Sequence, residues 1–189
     1  MDSVPIVKEL LLVGGGHSHA LVLRRWGMRP LPGVRLTLVN PDAVAPYSGM
    51  LPGHLAGHYT RDALDIDLVR LARFAGARFI PGRVVALDPD AKVARLGSGR
   101  RLRYDVASLD IGITADMTAL RGFAEHGIPA KPLDRFAARW AEVAAGSGPV
   151  RIAVIGGGVA GAEIAMACAH RLQEAGRDCG ITLVDRGRV

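Results

Sequence analysis

Arg151–His170, RIAVIGGGVAGAEIAMACAH, is the stretch on which the fold turns. A short apolar run from Arg151 to Ile155 meets three glycines, and small residues then continue from Ala160 to about Glu174. That order predicts a buried strand, a tight turn and a helix. Gly156, Gly158 and Gly161 make a full GxGxxG across the junction. In such a turn Gly156 permits the bend, Gly158 lets a pyrophosphate approach the backbone, and Gly161 allows helix and strand to pack closely. The helix N-terminus adds unbonded N–H groups and the positive end of its dipole. A second strand is predicted from Ile181 to Val184. Asp185, 24 residues after Gly161, stands at its end, where an acid can bind a ribose 2'-hydroxyl. Motif, strands, helix and acid together predict dinucleotide binding. Arg186 and Arg188 leave the choice between NADH and NADPH open, because arginine there can accept a 2'-phosphate.

The chain opens on the same design. Ile6–Val13 reads as a strand, Gly14, Gly15 and Gly16 as a turn, about His19 to Trp26 as a helix, and Val34–Val39 as the next strand. LLLVGGGHSHA at the first turn parallels IAVIGGGVAGA at the second. His19 replaces the third glycine, so either helix and strand sit further apart or His19 turns outward. Asn40 occupies the acid position and can hydrogen-bond a ribose without charge. A rival reading makes Gly16-His17-Ser18-His19-Ala20 a nucleophile elbow with Ser18 as a catalytic serine. Against it, no earlier strand supplies the usual oxyanion loop, and Gly14-Gly15 goes unexplained. His17, His19, His54 and His58 lack adjacent acids that would orient metal-bound imidazoles, so no metal site is expected.

Between the two openings, Asn40–Thr60 is a proline- and glycine-rich excursion with a short helix near Leu51–Gly57. Leu64, Leu68, Leu71, Ala72 and Ala75 follow helical spacing. Arg78–Ile80, Arg83–Leu87, Lys92–Leu96 and Arg101–Arg103 read as an antiparallel hairpin insertion with a turn at Gly97-Ser98-Gly99. Val106–Ile111 supplies another buried strand, ending at Gly112. One helix is predicted at Leu133–Ala145, before a boundary at Gly146-Ser147-Gly148-Pro149. The expected fold is α/β: a Rossmann-like parallel sheet with an antiparallel hairpin insertion, followed by an incomplete second nucleotide-binding domain. The expected divisions are 1–112, the first part of one nucleotide-binding domain; 113–148, a connecting region; and 149–189, the beginning of another.

With 49% hydrophobic and 22% charged residues among 189, the chain is neither disordered nor fibrous. Its net charge of +6 comes almost wholly from arginine, 21 against 3 lysines, which favours an anionic ligand. Nucleic acid is not expected, because the arginines are scattered and the nine aromatics form no recognition signature. Cys168 and Cys179 lack the spacing of a disulfide framework, zinc ribbon or dithiol centre, and a reducing cytoplasm is the expected compartment. The apolar N-terminal stretch is broken by Lys8 and Glu9 and lacks the layout of a signal peptide or a membrane span.

Taken with Pro46-Tyr47-Ser48-Gly49-Met50-Leu51-Pro52-Gly53 and Tyr104-Asp105-x5-Ile111-Gly112, the two glycine runs resemble the FAD-dependent pyridine nucleotide-disulfide oxidoreductases. The resemblance is to the branch similar to type II NADH dehydrogenases, and especially to the flavoprotein module fused in some bacteria to selenide, water dikinase. It implies that Gly14, Gly16 and His17 meet the FAD pyrophosphate, with Gly15, Ser18 and His19 also among the cofactor-binding residues. It further implies Asn40 at the adenosine ribose, Val84 at the adenine through its backbone, and Ser48, Gly49, Met50 and Leu51 toward the flavin ring. Gly112 belongs to the second FAD strand motif, where Asp110-Ile111-Gly112 replaces the usual Ala-Thr-Gly. Gly156, Gly158, Gly161 and Asp185 would hold NAD(P)H, and Glu163 matches the acid near the nicotinamide, with a helix-dipole acid as the alternative. Cys168 and Cys179 do not match the redox cysteine pair of disulfide reductases. Electrons would pass from NAD(P)H through FAD to an external small-molecule acceptor such as a quinone. The resemblance also allows peripheral membrane association and a homo-oligomer. The family's third segment, with its Gly-Asp flavin motif, has no counterpart here, so the expectation is an N-terminal fragment that is inactive in isolation. A non-catalytic dinucleotide-binding module and a Ser18 hydrolase are the alternatives.

Overall fold

The protein is described by a computed structural model covering residues 5–113 and 120–187. Arg188 and residues 114–119 of the expected connecting region lie outside the described residues. The chain forms two compact units, one from residues 1–45 and 66–112, the other from 46–65 and 113–189.

The first unit is built on a four-stranded parallel sheet. Its strands are β1 (Lys8–Val13), β2 (Val34–Asn40), β5 (Arg78–Pro81) and β9 (Val106–Leu109), in the order β5-β2-β1-β9. Helix α1 (His17–Met28) joins β1 to β2, and α3 (Leu68–Phe74) precedes β5. Alternation sorts the β1 and β2 side chains onto two covered faces, so these strands read as unbroken apolar runs. Leu12, Leu36 and Leu38 pack with Leu23 of α1 and Leu68 of α3. Leu11, Val13, Val39 and Ile80 pack instead against Ala94, Leu96 and Leu102. Those last three belong to an antiparallel meander of β6 (Val84–Asp88), β7 (Val93–Leu96) and β8 (Arg101–Arg103).

Two sequence expectations change here. Arg78–Pro81 is a parallel edge strand paired with Thr37–Asn40, not part of the hairpin insertion. The helix expected from Leu64 starts at Leu68, because the Asp67 carboxylate accepts the Arg70 N–H at 2.8 Å and caps it. Asp62–Leu64 is a short 3-10 turn and β4 (Asp65–Asp67) is extended, in a two-stranded pair with β3 (Val44–Pro46).

In the second unit, β10 (Val150–Ile155) and β11 (Cys179–Val184) pair in parallel, joined by α6 (Val159–Glu174). The core takes Leu133, Phe136 and Trp140 from α5 (Leu133–Ala145), Ala167, Cys168 and Leu172 from α6, and Leu51, Leu55 and Leu64 from the 46–65 excursion. Trp140 fixes that excursion further, its indole N–H donating to the carbonyl of Leu55 in α2 (Leu51–Leu55) at 3.1 Å. Arg61 does the same by charge, reaching Asp65 and Asp134, each at 2.8 Å. A four-residue helix, α4 (Phe123–His126), precedes α5. Ile155, Val159 and Met166 are each more than half exposed. Among the described residues no helix is long and apolar enough to cross a membrane.

Candidate functional site

The two glycine turns share one backbone plan. Gly14 N–H donates to Val39 O and Gly156 N–H to Val184 O, both at 2.8 Å, while Ala20 and Ala162 close the first helical turns onto Gly16 and Gly158 at 3.0 Å. Gly14 (φ +90°) and Gly156 (φ +114°) adopt a conformation that side chains disfavour. These bonds seat each helix N-terminus at the end of its strand, as an anion site requires.

What lies around each turn differs. At the first, the Asp110 carboxylate occupies the space a Gly16 Cβ would need, and its Oδ2 accepts the His19 N–H at 2.9 Å. The Asp110 carbonyl also accepts the Gly16 N–H at 3.2 Å. Asn40 is buried: its Oδ1 accepts the Gly15 N–H and its Nδ2 donates to Asp42 O, both at 2.8 Å. His19 turns inward rather than outward, with Nδ1 2.7 Å from Gly14 O and Nε2 2.9 Å from Ser108 Oγ. A carbonyl oxygen only accepts, so Nδ1 carries the proton and a neutral ring accepts from Ser108. His17 and Ser18 stand exposed at the surface. The first turn therefore fits a pyrophosphate on its outer side, at His17 and Ser18, with an acid of the chain on its inner side.

At the second turn a Cβ on Gly156 or Gly158 would meet nothing within 4 Å, whereas one on Gly161 would strike the Gly156 carbonyl. Gly161 thus keeps helix and turn in contact, and the open space at Gly156 and Gly158 would admit a pyrophosphate. Asp185 sits beside this turn. Its Oδ2 would be 2.6 Å from a Gly157 Cβ, and its Oδ1 accepts the Arg186 N–H at 2.6 Å.

A cleft of about 400 Å³ lies beside the first turns of α6, lined by Ser48, Gly49, Leu51 and Pro52 and by Val159, Ala160, Glu163 and Ile164. Ala130, Lys131 and Leu133 complete the lining. Ser48, Gly49 and Leu51 are thereby brought together with Glu163, more than a hundred residues away in sequence. Met50 turns instead to the core. Val84 begins β6 opposite Leu96, and Gly112 is exposed beyond β9. Lys131 and Asp110 are the two residues whose placement sequence reasoning missed; one signal for Asp110 was the acid standing where Ala is usual.

Among the described residues no three His, Cys, Asp or Glu side chains group as metal ligands. His54 bonds Tyr59 O at 3.0 Å, and the His58 ring lies 5.2 Å from that of His170. Both cysteines are free thiols, and burial pushes Cys168 up to about 12. His19, the histidine beside Ser18 in the elbow reading, bonds Gly14 O and Ser108 Oγ instead of Ser18.

A βαβ unit repeated at two glycine turns, with an amide or an acid where each second strand ends, defines a duplicated Rossmann-like α/β architecture. The chain belongs to the pyridine nucleotide-disulphide oxidoreductase family, whose profile matches residues 8–188. No curated protein gives a significant match. Among solved structures, the chain is similar to the sulfide:quinone oxidoreductase of Aquifex aeolicus (TM-score 0.71, 23% identity, 95% of this chain and 43% of that one). It is also similar to the water-forming NADH oxidase of Lactobacillus brevis bound to NADH (TM-score 0.68, 22% identity, 94% and 39%). A third is the NADH:rubredoxin oxidoreductase of Clostridium acetobutylicum (TM-score 0.65, 19% identity, 94% and 44%). The chain thus spans less than half the length of each of these structures.

Proposed function

We propose that this chain carries the nucleotide-binding region of a flavin-dependent NAD(P)H oxidoreductase, with residues 1–112 as the first part of an FAD-binding domain and 149–189 as the beginning of an NAD(P)-binding domain. Residues 113–148 connect them. The observation that carries the reading is the cleft that Ser48, Gly49 and Leu51 line together with Val159, Ala160 and Glu163. When bound, the nicotinamide supplies a hydride and the flavin receives it and passes electrons on. The chain's own part is positional. Gly156 and Gly158 would leave room for the NAD(P)H pyrophosphate, Asp185 would accept from the ribose, and the apolar lining would keep water out of the cleft. For FAD, His17 and Ser18 present the outer side of the first helix N-terminus.

A quinone is the proposed acceptor, supported by the likeness to a sulfide:quinone oxidoreductase. A cytoplasmic setting is supported by the two free thiols. The test is purification of the whole oxidoreductase that carries this region, reconstitution with FAD, and anaerobic addition of NADH or NADPH. Visible flavin absorbance that bleaches with either, and returns with a soluble quinone, is expected. Flavin that binds but never bleaches would overturn the reading.

A second reading, a dinucleotide-binding module without flavin chemistry, is favoured by one observation, the Asp110 carboxylate packed against Gly16. It predicts NADH binding with no flavin retention.

A further inference from the structure

Of the three lysines in this arginine-rich chain, Lys131 is half-buried and lines the cleft that Glu163 also lines. Neither side chain makes a hydrogen bond or an ion pair with any described residue. Burial pushes the Lys131 ammonium below its ordinary range. An amine held partly out of water without a partner among the described residues is costly unless a ligand completes it. The rest of the cleft is mainly apolar, with Leu51, Pro52, Leu133, Val159, Ala160 and Ile164.

That lining suits an apolar group bearing one polar substituent. Lysine can only donate, and an ionised glutamate can only accept. Together they present one donor and one acceptor with no net charge, which suits a neutral amide better than a phosphate or a carboxylate, since Glu163 would repel either. The cleft also lies at the right place along α6. Glu163 is five residues beyond Gly158, about 7.5 Å along the helix axis, leaving room for a ribose between pyrophosphate and ring.

We propose that Lys131 is a nicotinamide-positioning residue, its ammonium donating to the carboxamide oxygen while Glu163 accepts from the carboxamide NH2. This rests on the NAD(P)H reading above and adds the residue that orients the ring. Held at both ends of its amide, the ring cannot flip about its glycosidic bond, so one face is presented for hydride transfer.

The test is calorimetric titration of the wild-type protein, Lys131→Met and Lys131→Arg with NADH and, separately, with ADP-ribose, which shares every part of NADH except the nicotinamide. Met keeps the length and apolar stem of lysine, so the cleft wall is preserved. Lys131→Met is expected to weaken NADH about 10- to 100-fold, the range for a hydrogen bond to a charged group, and to leave ADP-ribose unchanged. Lys131→Arg is expected to recover part of the loss. Equal weakening of both ligands would overturn the proposal, assigning Lys131 to phosphate or to folding. Unchanged NADH affinity in Lys131→Met would also overturn it, as would wild-type protein that binds NADH no tighter than ADP-ribose. A wild-type protein that binds neither nucleotide removes the NAD(P)H reading itself, and this proposal with it.

Discussion

Asp110 caps a helix 91 residues away from it in sequence, its carboxylate accepting the backbone N–H of His19 at 2.9 Å. The carboxylate thus neutralises the helix terminus that a cofactor phosphate would otherwise use, and it repels that phosphate. Asp110→Ala should cost about 1 kcal/mol of stability without nucleotide, as loss of a cap does, while tightening FAD binding several-fold. Urea denaturation and titration of flavin fluorescence measure the two effects. If FAD affinity stays level, the pyrophosphate does not approach Gly16.

Gly158 and Gly161 should separate binding from folding. Open space surrounds Gly158, so Gly158→Val is expected to fold and to lose NADH affinity by at least tenfold. A side chain at Gly161 would meet the Gly156 carbonyl, so Gly161→Val should destabilise the unit by about 1–3 kcal/mol, the cost of forcing extra bulk into a packed contact. Thermal melts and NADH titrations of both variants check this. Normal NADH binding by Gly158→Val would remove the cradle from the account.

Asp185 should set the preference for NADH. Its Oδ2 faces the Gly157 turn and its Oδ1 is held by the Arg186 N–H, so the carboxylate is fixed in place. Asp185→Ala should weaken NADH by about 1.5 to 3 kcal/mol, one hydrogen bond to a charged group, and narrow any preference against NADPH. Comparing the two dissociation constants in wild type and variant tests it. Equal affinities in wild type would contradict the role.

Cys168 should make stability fall in alkali. Its thiol is raised to about 12 by burial against Leu51, Leu55 and Leu172, whereas an unfolded cysteine titrates near ~8.5. Between those values the unfolded chain binds fewer protons than the folded one, so stability is lost as pH rises, by up to about 1.4 kcal/mol per pH unit. The contribution is complete below about pH 8.5. Cys168→Ala should flatten this part of the pH profile, which urea midpoints from pH 8 to 10 would reveal relative to wild type. In native protein a maleimide should label Cys179 well before Cys168.

The parts of the fold that were legible in the sequence are those whose signal is local. Leu133, Phe136, Ala137 and Trp140 recur at helical spacing and all are buried, and the helix spans Leu133–Ala145 as expected. The two glycine turns carry their own backbone requirement, so each βαβ opening could be read directly. Leu64 misled because it fits the helical period of Leu68 and Leu71 by coincidence. It packs instead with Leu51 and Leu55, while Leu68 packs with Leu12 and Leu23. Arg78–Pro81 was misread because four residues do not say which sheet they join; their partner, Thr37–Asn40, is forty-one residues away. The inward turn of His19 needed Ser108, and the capping role of Asp110 needed the end of β9 to lie beside the first turn. Neither is a property of spacing.

The bond from Trp140 to Leu55 spans 85 residues and gives biosynthesis an order. At the usual rate of ~5–20 residues per second, the 46–65 excursion leaves the ribosome several seconds before α5 exists. During that interval Leu51, Leu55 and Leu64 have no Phe136, Trp140 or Leu172 to cover them. The first unit can close its sheet as soon as β9 emerges, since all its strands precede Gly112. The nascent chain therefore carries a folded nucleotide-binding sheet with an apolar loop waiting on it. Chaperone crosslinking of stalled chains should concentrate at 46–65 and fade once stalling passes Leu172.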